Sequence, residues 1–138
     1  MSSASVGQRF LRRNRGRLIA LALLVIAFGL WQLYVHANDD GLLVGRVVDE
    51  QGDPVPGATV VIAEKTLELL KNQRSTTTDA SGTFRFEGLE MVEFVVQAQK
   101  PGYEPTPSRS YHLYFRSQNF ELPEPLVLKP TPEPSAPE

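Results

Sequence analysis

The chain has 138 residues, enough for one domain of ordinary size, and it contains no cysteine, which excludes disulfides, a thiol nucleophile and cysteine-based metal sites. All 16 acidic residues lie from Asp39 onward, beside nine basic ones, so this part of the chain carries a formal charge of −7. Because nucleic-acid binding needs a basic face that displaces counterions from phosphate, this charge argues against nucleic acid as a partner.

The first 38 residues predict a membrane anchor. Residues 1–17 form a basic N-terminus with five arginines, whereas residues 18–38 contain no charged side chain. A helix over 18–38 would rise about 31 Å, close to the thickness of a bilayer's hydrocarbon core, so we predict a transmembrane helix there. Positive charge before the helix and Asp39–Asp40 after it predict a cytoplasmic N-terminus and an exported C-terminal part. A signal peptide cleaved after Ala37 is the alternative.

Residues 39–129 predict a small all-β domain. Apolar and polar residues alternate in short segments separated by turns that contain glycine or proline, and no helical periodicity intervenes. We therefore predict a seven-stranded antiparallel Greek-key β-sandwich, with a disordered, proline-rich tail at 130–138. Residues 66–71 are predicted to form an irregular insert, with a continuation of the strand or one helical turn as the alternatives. The seven predicted strands cover 43–48, 58–62, 75–78, 84–86, 94–98, 111–115 and 125–128.

Six residues are predicted to build turns. Glycine adopts positive φ without a steric penalty, and an aspartate side chain accepts hydrogen bonds from the backbone of its own turn. The predicted structural turn residues are Asp49, Gly52, Gly57, Asp79, Gly82 and Gly102.

The order of these turns and strands resembles the carboxypeptidase regulatory-like domain, a family with a transthyretin-like (prealbumin-like) or carbohydrate-binding-like fold. The resemblance covers about residues 42–103 and departs from the family pattern at Val92, where the family has glycine. It implies a sandwich module, either fused to a larger protein or standing alone on an anchor, usually without catalytic activity of its own. The matching residues are Gly45, Val47, Asp49, Gly52, Pro54, Gly57, Ala58, Thr78, Asp79, Gly82, Phe84, Phe86, Leu89, Phe94, Gly102 and Tyr103.

No arrangement of residues predicts catalysis. The two histidines, His36 and His112, have no partner at the spacing of zinc ligands. No serine lies in a nucleophile motif, and no glycine-rich phosphate loop is present. A calcium site built from turn carboxylates is less favoured than simple turn capping, because no Asp-x-Asp-x-Asp run occurs. These carboxylates are Asp49, Glu50, Asp53 and Asp79. We predict no enzyme, no cofactor and no bound metal.

Four aromatic residues are the candidate contacts with a ligand or partner: Tyr103, Tyr111, Tyr114 and Phe115. The alternative is that Tyr103 closes the core and that Tyr111 or Tyr114 covers a sheet edge. Aromatic rings exposed together on one face would favour a glycan, whereas an apolar patch or an open edge strand would favour a protein.

These observations predict a protein of the inner (cytoplasmic) membrane that crosses the bilayer once through 18–38. Its C-terminal sandwich would lie on the periplasmic or extracellular side and would bind or scaffold another envelope protein. A carbohydrate-binding module for cell-wall or surface glycan is the alternative function.

Overall fold

The computed structural model describes residues 14–67 and 69–132, in which one helix and ten strands occur. Contacts between residues divide the chain after Ala37 into a helical unit and a β unit. The helix, α1 (Arg15–Ala37), begins three residues before the predicted span and ends one residue before its end. By length and composition alone it is able to cross a membrane, a test that a signal sequence near the N-terminus also passes. The predicted basic N-terminus lies, up to residue 13, outside the described residues.

The β unit contains two main sheets and a short ribbon. One sheet has the antiparallel order β3–β2–β5–β7. In the second sheet, β1 pairs along one edge with β4. Along its opposite edge β1 pairs first with β8 and then, further along the strand, with β9. The ribbon consists of β6 and β10. The strands are β1 Leu43–Val48, β2 Thr59–Thr66, β3 Leu69–Thr77, β4 Thr83–Phe86, β5 Glu93–Gln99, β6 Tyr103–Glu104, β7 Arg109–His112, β8 Phe120–Glu121, β9 Leu126–Val127 and β10 Lys129–Pro130.

Alternate side chains of both sheets are buried and form one apolar core. In the sheet that contains β1, Phe84 and Phe86 of β4 meet edge to face, with ring centroids 6.1 Å apart. The buried ring of Phe94, on β5 of the other sheet, lies 5.7 Å from Tyr111 of β7 and 6.1 Å from Phe120 of β8. The predicted all-β sandwich preceded by an apolar helix is therefore confirmed.

The strand count and some strand directions differ from the prediction. Ten strands are present in the described chain where seven were predicted, and β6, β8, β9 and β10 have only two residues each. β8 and β9 run parallel to β1, so the sandwich is not antiparallel throughout. Pro123 and Pro125 lie between β8 and β9, and because proline has no N–H to donate, they divide one returning segment into two short strands.

The predicted irregular insert at 66–71 is instead the end of a long hairpin. β2 continues to Thr66 and β3 begins at Leu69, six residues before the third predicted strand. The pairing shifts register after Ile62, and Asn72 adopts a φ of 50°, so a β-bulge absorbs the extra residue. Leu70 follows Leu69 directly, so the alternation of apolar and polar residues breaks within this segment and the sequence did not indicate one continuous strand.

The bounds of the C-terminal strands also differ from the prediction. The predicted strand at 111–115 is β7, which ends at His112. Pro130, expected to begin the disordered tail, pairs with Tyr103, and the N–H of Thr131 donates to the carbonyl of Gly102 at 3.0 Å. Proline is tolerated here because β10 is an edge strand. The tail from residue 133 lies outside the described residues.

Candidate functional site

The turn at Asp49 uses its carboxylate internally. Asp49 Oδ1 accepts hydrogen bonds from the N–H groups of Gln51 and Asp53, each at 2.9 Å. Gly52, within the same turn, has a φ of 86°, which glycine adopts without strain. Gly57 and Gly102 likewise have positive φ, at 69° and 84°. These residues shape connections between strands, and Oδ1 of Asp49 stabilises its own turn through two backbone hydrogen bonds.

Asp79 organises the turn between β3 and β4 in the same way. Its Oδ1 accepts from the hydroxyl of Ser81 at 2.7 Å and from the N–H groups of Ser81 and Thr83 at 2.9 and 3.0 Å. The Ser81 hydroxyl, followed by the backbone N–H of Thr83, lowers the pKa of this carboxyl, because both bonds favour the charged form. Asp79 is thus a turn-capping residue in the structure.

The lowered pKa gives a stability prediction with a definite sign. The ionised carboxylate of Asp79 stabilises the fold above the pKa of the unfolded chain, and this contribution is lost as the pH falls through the lower folded pKa. Replacing Asp79 by asparagine should therefore be most harmful near neutral pH, and the difference from the unmodified protein should shrink below about pH 4. Urea unfolding at several pH values measures this difference, and a constant difference would contradict the prediction.

The described residues contain no group of three or more histidine, cysteine or carboxylate side chains placed to hold a metal ion. His112 is exposed at the end of β7, opposite Glu93, and His36 is in the last turn of α1. The four turn carboxylates that were considered as a calcium site are therefore not grouped around a common position.

If no metal contributes to the fold, chelation should leave stability unchanged. We expect the melting temperature of the full-length chain to be the same with and without a strong chelator, since the buried apolar side chains supply the driving force for folding. Paired thermal melts and elemental analysis measure this. A melting temperature that falls by about 10 °C in chelator would contradict this prediction and support the calcium site.

The candidate aromatic residues do not form one exposed platform. Tyr111 is half-buried, with its ring 5.4 Å from that of Phe120. Tyr103 is also half-buried against the core, and Lys100 lies over its ring at 5.8 Å. Phe115 is half-buried, and only Tyr114 of the four is strongly exposed, at 89%. The rings are therefore divided between the core and the surface.

A depression of about 450 Å³ lies on the outer face of β1 and β4. Its polar side chains are Arg46, Thr83 and Glu121, and Pro123 and Pro125 form part of its wall. A cation, a hydroxyl and a carboxylate are present, and no histidine or lysine is among the lining residues. The Thr83 hydroxyl forms a hydrogen bond with the Ser81 hydroxyl at 3.0 Å, within the turn that Asp79 caps.

The β2–β3 hairpin exposes the most apolar surface of the β unit. Leu67, Leu69 and Leu70, which we call the hairpin tip, are 89%, 60% and 62% exposed. Leu67 also has a φ of 54°, a left-handed conformation that glycine or asparagine adopts more readily. Sequence reasoning missed this surface because it assigned the leucines to an irregular insert.

β3, whose first two residues belong to the hairpin tip, has an open outer edge. β3 is the end strand of its sheet and pairs only with β2. Eight of its nine residues are exposed, and Thr76 is half-buried. The hairpin tip and the outer edge of β3 thus form a continuous exposed surface with both apolar side chains and unpaired backbone groups.

Comparison with known proteins agrees with this architecture. Residues 43–122 match the family model of the carboxypeptidase regulatory-like domain. No curated protein sequence matches the chain at a significant level.

Several solved structures share the fold. Chlorocatechol 1,2-dioxygenase from Pseudomonas putida is 13% identical, with a TM-score of 0.51 over 64% of this chain and 59% of that one. Wild-type catechol 1,2-dioxygenase from Acinetobacter radioresistens is 12% identical, with a TM-score of 0.52 over 73% and 56%. Catechol 1,2-dioxygenase from Pseudomonas arvilla C-1 is 14% identical, with a TM-score of 0.51 over 69% and 53%. The match spans little more than half of each enzyme, and at these identities it shows the fold alone.

Proposed function

The chain belongs to the carboxypeptidase regulatory-like domain family, and from this premise we propose that it is a non-enzymatic module that binds another envelope protein. In this proposal α1 holds the module at the inner membrane, and the sandwich lies outside the cytoplasm. The hairpin tip and the outer edge of β3 form the docking surface. The observation that carries the proposal is the exposure of Leu67, Leu69 and Leu70 beside an open strand.

The hairpin tip adds little to the stability of the isolated domain. Burying a leucine side chain contributes about 1.5–3 kcal/mol, and none of the three leucines obtains this within the described chain. The left-handed backbone at Leu67 costs about 1–2 kcal/mol relative to glycine. A partner that covers the three side chains would supply the missing burial, and exposed apolar clusters mark interaction sites.

The chemistry of the surface supports a non-enzymatic role. One carboxylate oxygen of Asp49 and one of Asp79 accept hydrogen bonds from backbone N–H groups, and no histidine or lysine lines the depression beside β1. A glycan partner would need aromatic rings presented together, and Tyr103 and Tyr111 are packed against the core instead. Binding of a glycan is therefore the alternative result that the crosslinking experiment below would detect.

The orientation gives a prediction of its own. Arginines before the apolar helix and aspartates after it predict export of the C-terminus. A reporter enzyme that is active only outside the cytoplasm, fused after Glu138, should therefore be active. Moving the arginines to follow Asp40 should weaken or invert the orientation. Activity of a reporter that works only in the cytoplasm would contradict the proposed placement.

The docking surface is tested by replacing its leucines. We expect Leu67→Ser with Leu70→Ser to abolish co-isolation of the partner protein after chemical crosslinking in intact membranes, without lowering the melting temperature, because both side chains are exposed. Tyr114→Ser is the control, since Tyr114 is as exposed as Leu67, at 89%, but distant from it in sequence. Equal recovery from both variants, or recovery of glycan with loss only in Tyr114→Ser, would overturn the proposal.

A further inference from the structure

We infer that the outer edge of β3 receives an extended, acidic strand of the partner protein, which adds a fifth strand to the sheet β3–β2–β5–β7. This inference rests on the proposed function and specifies the kind of partner segment and the way it binds. Addition of a strand to an open sheet edge is a general mode of peptide recognition, in which backbone hydrogen bonds provide affinity and side chains provide specificity.

The pairing of β3 determines which of its backbone groups are free. The N–H of Thr78 donates to the carbonyl of Ala58 at 2.9 Å, and Val60 lies opposite Thr76 in the antiparallel register. Because hydrogen-bonded and non-hydrogen-bonded pairs alternate along an antiparallel ladder, Thr76 directs its N–H toward β2. The N–H and C=O of Ser75 and Thr77 consequently point away from β2, toward the open edge.

The other sheet edges are shorter or interrupted. β7, at the opposite end of the same sheet, has only four residues, and its Arg109 forms an ion pair with Glu124 at 3.4 Å. β8 and β9 are separated by two prolines and have two residues each. β3, with nine residues, therefore offers the longest edge in the described part of the chain.

The charge of β3 indicates the chemistry of the partner. The strand carries Lys71 and Arg74 and no acidic residue, although the chain from Asp39 onward has a formal charge of −7. Arg74 donates to the carbonyl of Glu87 at 2.9 Å. Lys71 lies opposite Glu64 of β2 in the register, but none of the ion pairs in the described residues includes Lys71. On the open side, a carboxylate beside Lys71 and an apolar side chain beside Leu70 would complement the edge.

The same charges oppose pairing of β3 with a second copy of itself. Two β3 strands side by side would bring two lysines and two arginines together without an acidic residue between them. Like charges on adjacent strands destabilise the pair. We therefore commit to a different chain as the occupant, and dimerisation becomes an outcome of the test.

The first test uses synthetic peptides with the full-length chain in detergent micelles. The probes are an alternating valine–glutamate peptide and an alternating valine–lysine peptide of equal length. We expect the glutamate peptide to bind at least about tenfold more tightly, and Lys71→Glu to reverse the preference. Amide resonances of β3 should change, whereas those of β7 should not. Equal binding of the two peptides, absence of binding, changes confined to β7, or a concentration-dependent dimer without peptide would each overturn the inference.

The second test removes one backbone donor. Ser75→Pro eliminates an N–H that points outward, a position where an edge strand tolerates proline, so the fold should be retained. Binding of the glutamate peptide should be lost in Ser75→Pro and kept in Ser75→Ala. The fold of Ser75→Pro is verified by a melting temperature and an amide spectrum like those of the unmodified chain. If proline perturbs the fold, Lys71→Glu, which changes an exposed side chain, tests the same edge independently.

The same variants separate the two hypotheses in membranes. If crosslinking to the partner depends on the leucines of the hairpin tip but is unaffected by Ser75→Pro, strand addition is wrong and the proposed function stands. If neither substitution changes crosslinking, the proposed docking surface is wrong as well.

Discussion

Replacing Phe94 by alanine is expected to lower the free energy of unfolding by about 3–5 kcal/mol. Phe94 lies on β5, is 1% exposed, and contacts the rings of both Tyr111 and Phe120. Alanine would leave a cavity between the two sheets and remove both aromatic contacts, and the β-sheet backbone on either side cannot collapse to fill the space. Urea unfolding, monitored by the far-ultraviolet circular dichroism of the β unit, measures the loss.

The control for Phe94→Ala is Arg85→Ala. Arg85 is exposed on the outer face of β4, where its ion pair with Glu87 at 2.7 Å is open to solvent. Exposed ion pairs contribute about 0–1 kcal/mol, so this variant should remain close to the unmodified protein. Losses of equal size in the two variants would mean that the assignment of inner and outer faces is wrong.

Replacing Gly82 by alanine is expected to cost at least about 2 kcal/mol, from two separate sources. Gly82 has a φ of 71°, which alanine adopts only with strain. An added Cβ would also lie 2.5 Å from the carbonyl oxygen of Val47, a backbone atom that cannot rotate away. The turn between β3 and β4 would have to separate from β1, to which it is joined by the hydrogen bond from Val47 N–H to Gly82 O at 2.8 Å.

Gly52→Ala is the matched control, because the difference between the two variants isolates the steric contribution at Gly82. Gly52 also has positive φ, at 86°, but no atom lies within 4 Å of its added Cβ. This variant should lose only the conformational term, about 1–2 kcal/mol. Denaturant unfolding of both variants gives the difference directly. If Gly52→Ala were as costly as Gly82→Ala, the close approach of Gly82 to Val47 would not be important for stability.

The parts of the fold that the sequence predicted are those governed by local chemistry. Alternation in β1 and β5 places Val47, Phe94 and Val96 in the core, because a strand directs successive side chains to opposite faces. The turns at Asp49 and Asp79 follow from side chains that bond to their own backbone. Family membership follows from the same residues, and the match to the family model extends it to residue 122.

The parts that the sequence did not predict depend on contacts between distant segments. The parallel pairing of β8 and β9 with β1 joins residues far apart in the chain, and no local pattern encodes it. The β2–β3 hairpin was missed because a bulge at Asn72 interrupts the alternation and because exposed leucines resemble a core segment. The candidate site therefore differs between sequence and structure. The sequence indicated aromatic residues, of which Tyr103 and Tyr111 pack on the core, whereas the structure exposes the leucines of the hairpin tip.

The most direct test of the proposed function is site-specific photo-crosslinking in intact membranes. A photoreactive amino acid is placed at Leu70, which is 62% exposed on the hairpin, and in a second full-length variant at Tyr114, which is 89% exposed. If the module binds a protein through the hairpin tip and β3, irradiation should join Leu70, and not Tyr114, to a second polypeptide. A protein adduct from Tyr114 alone, or a glycan adduct from either position without a protein adduct from Leu70, would contradict the account.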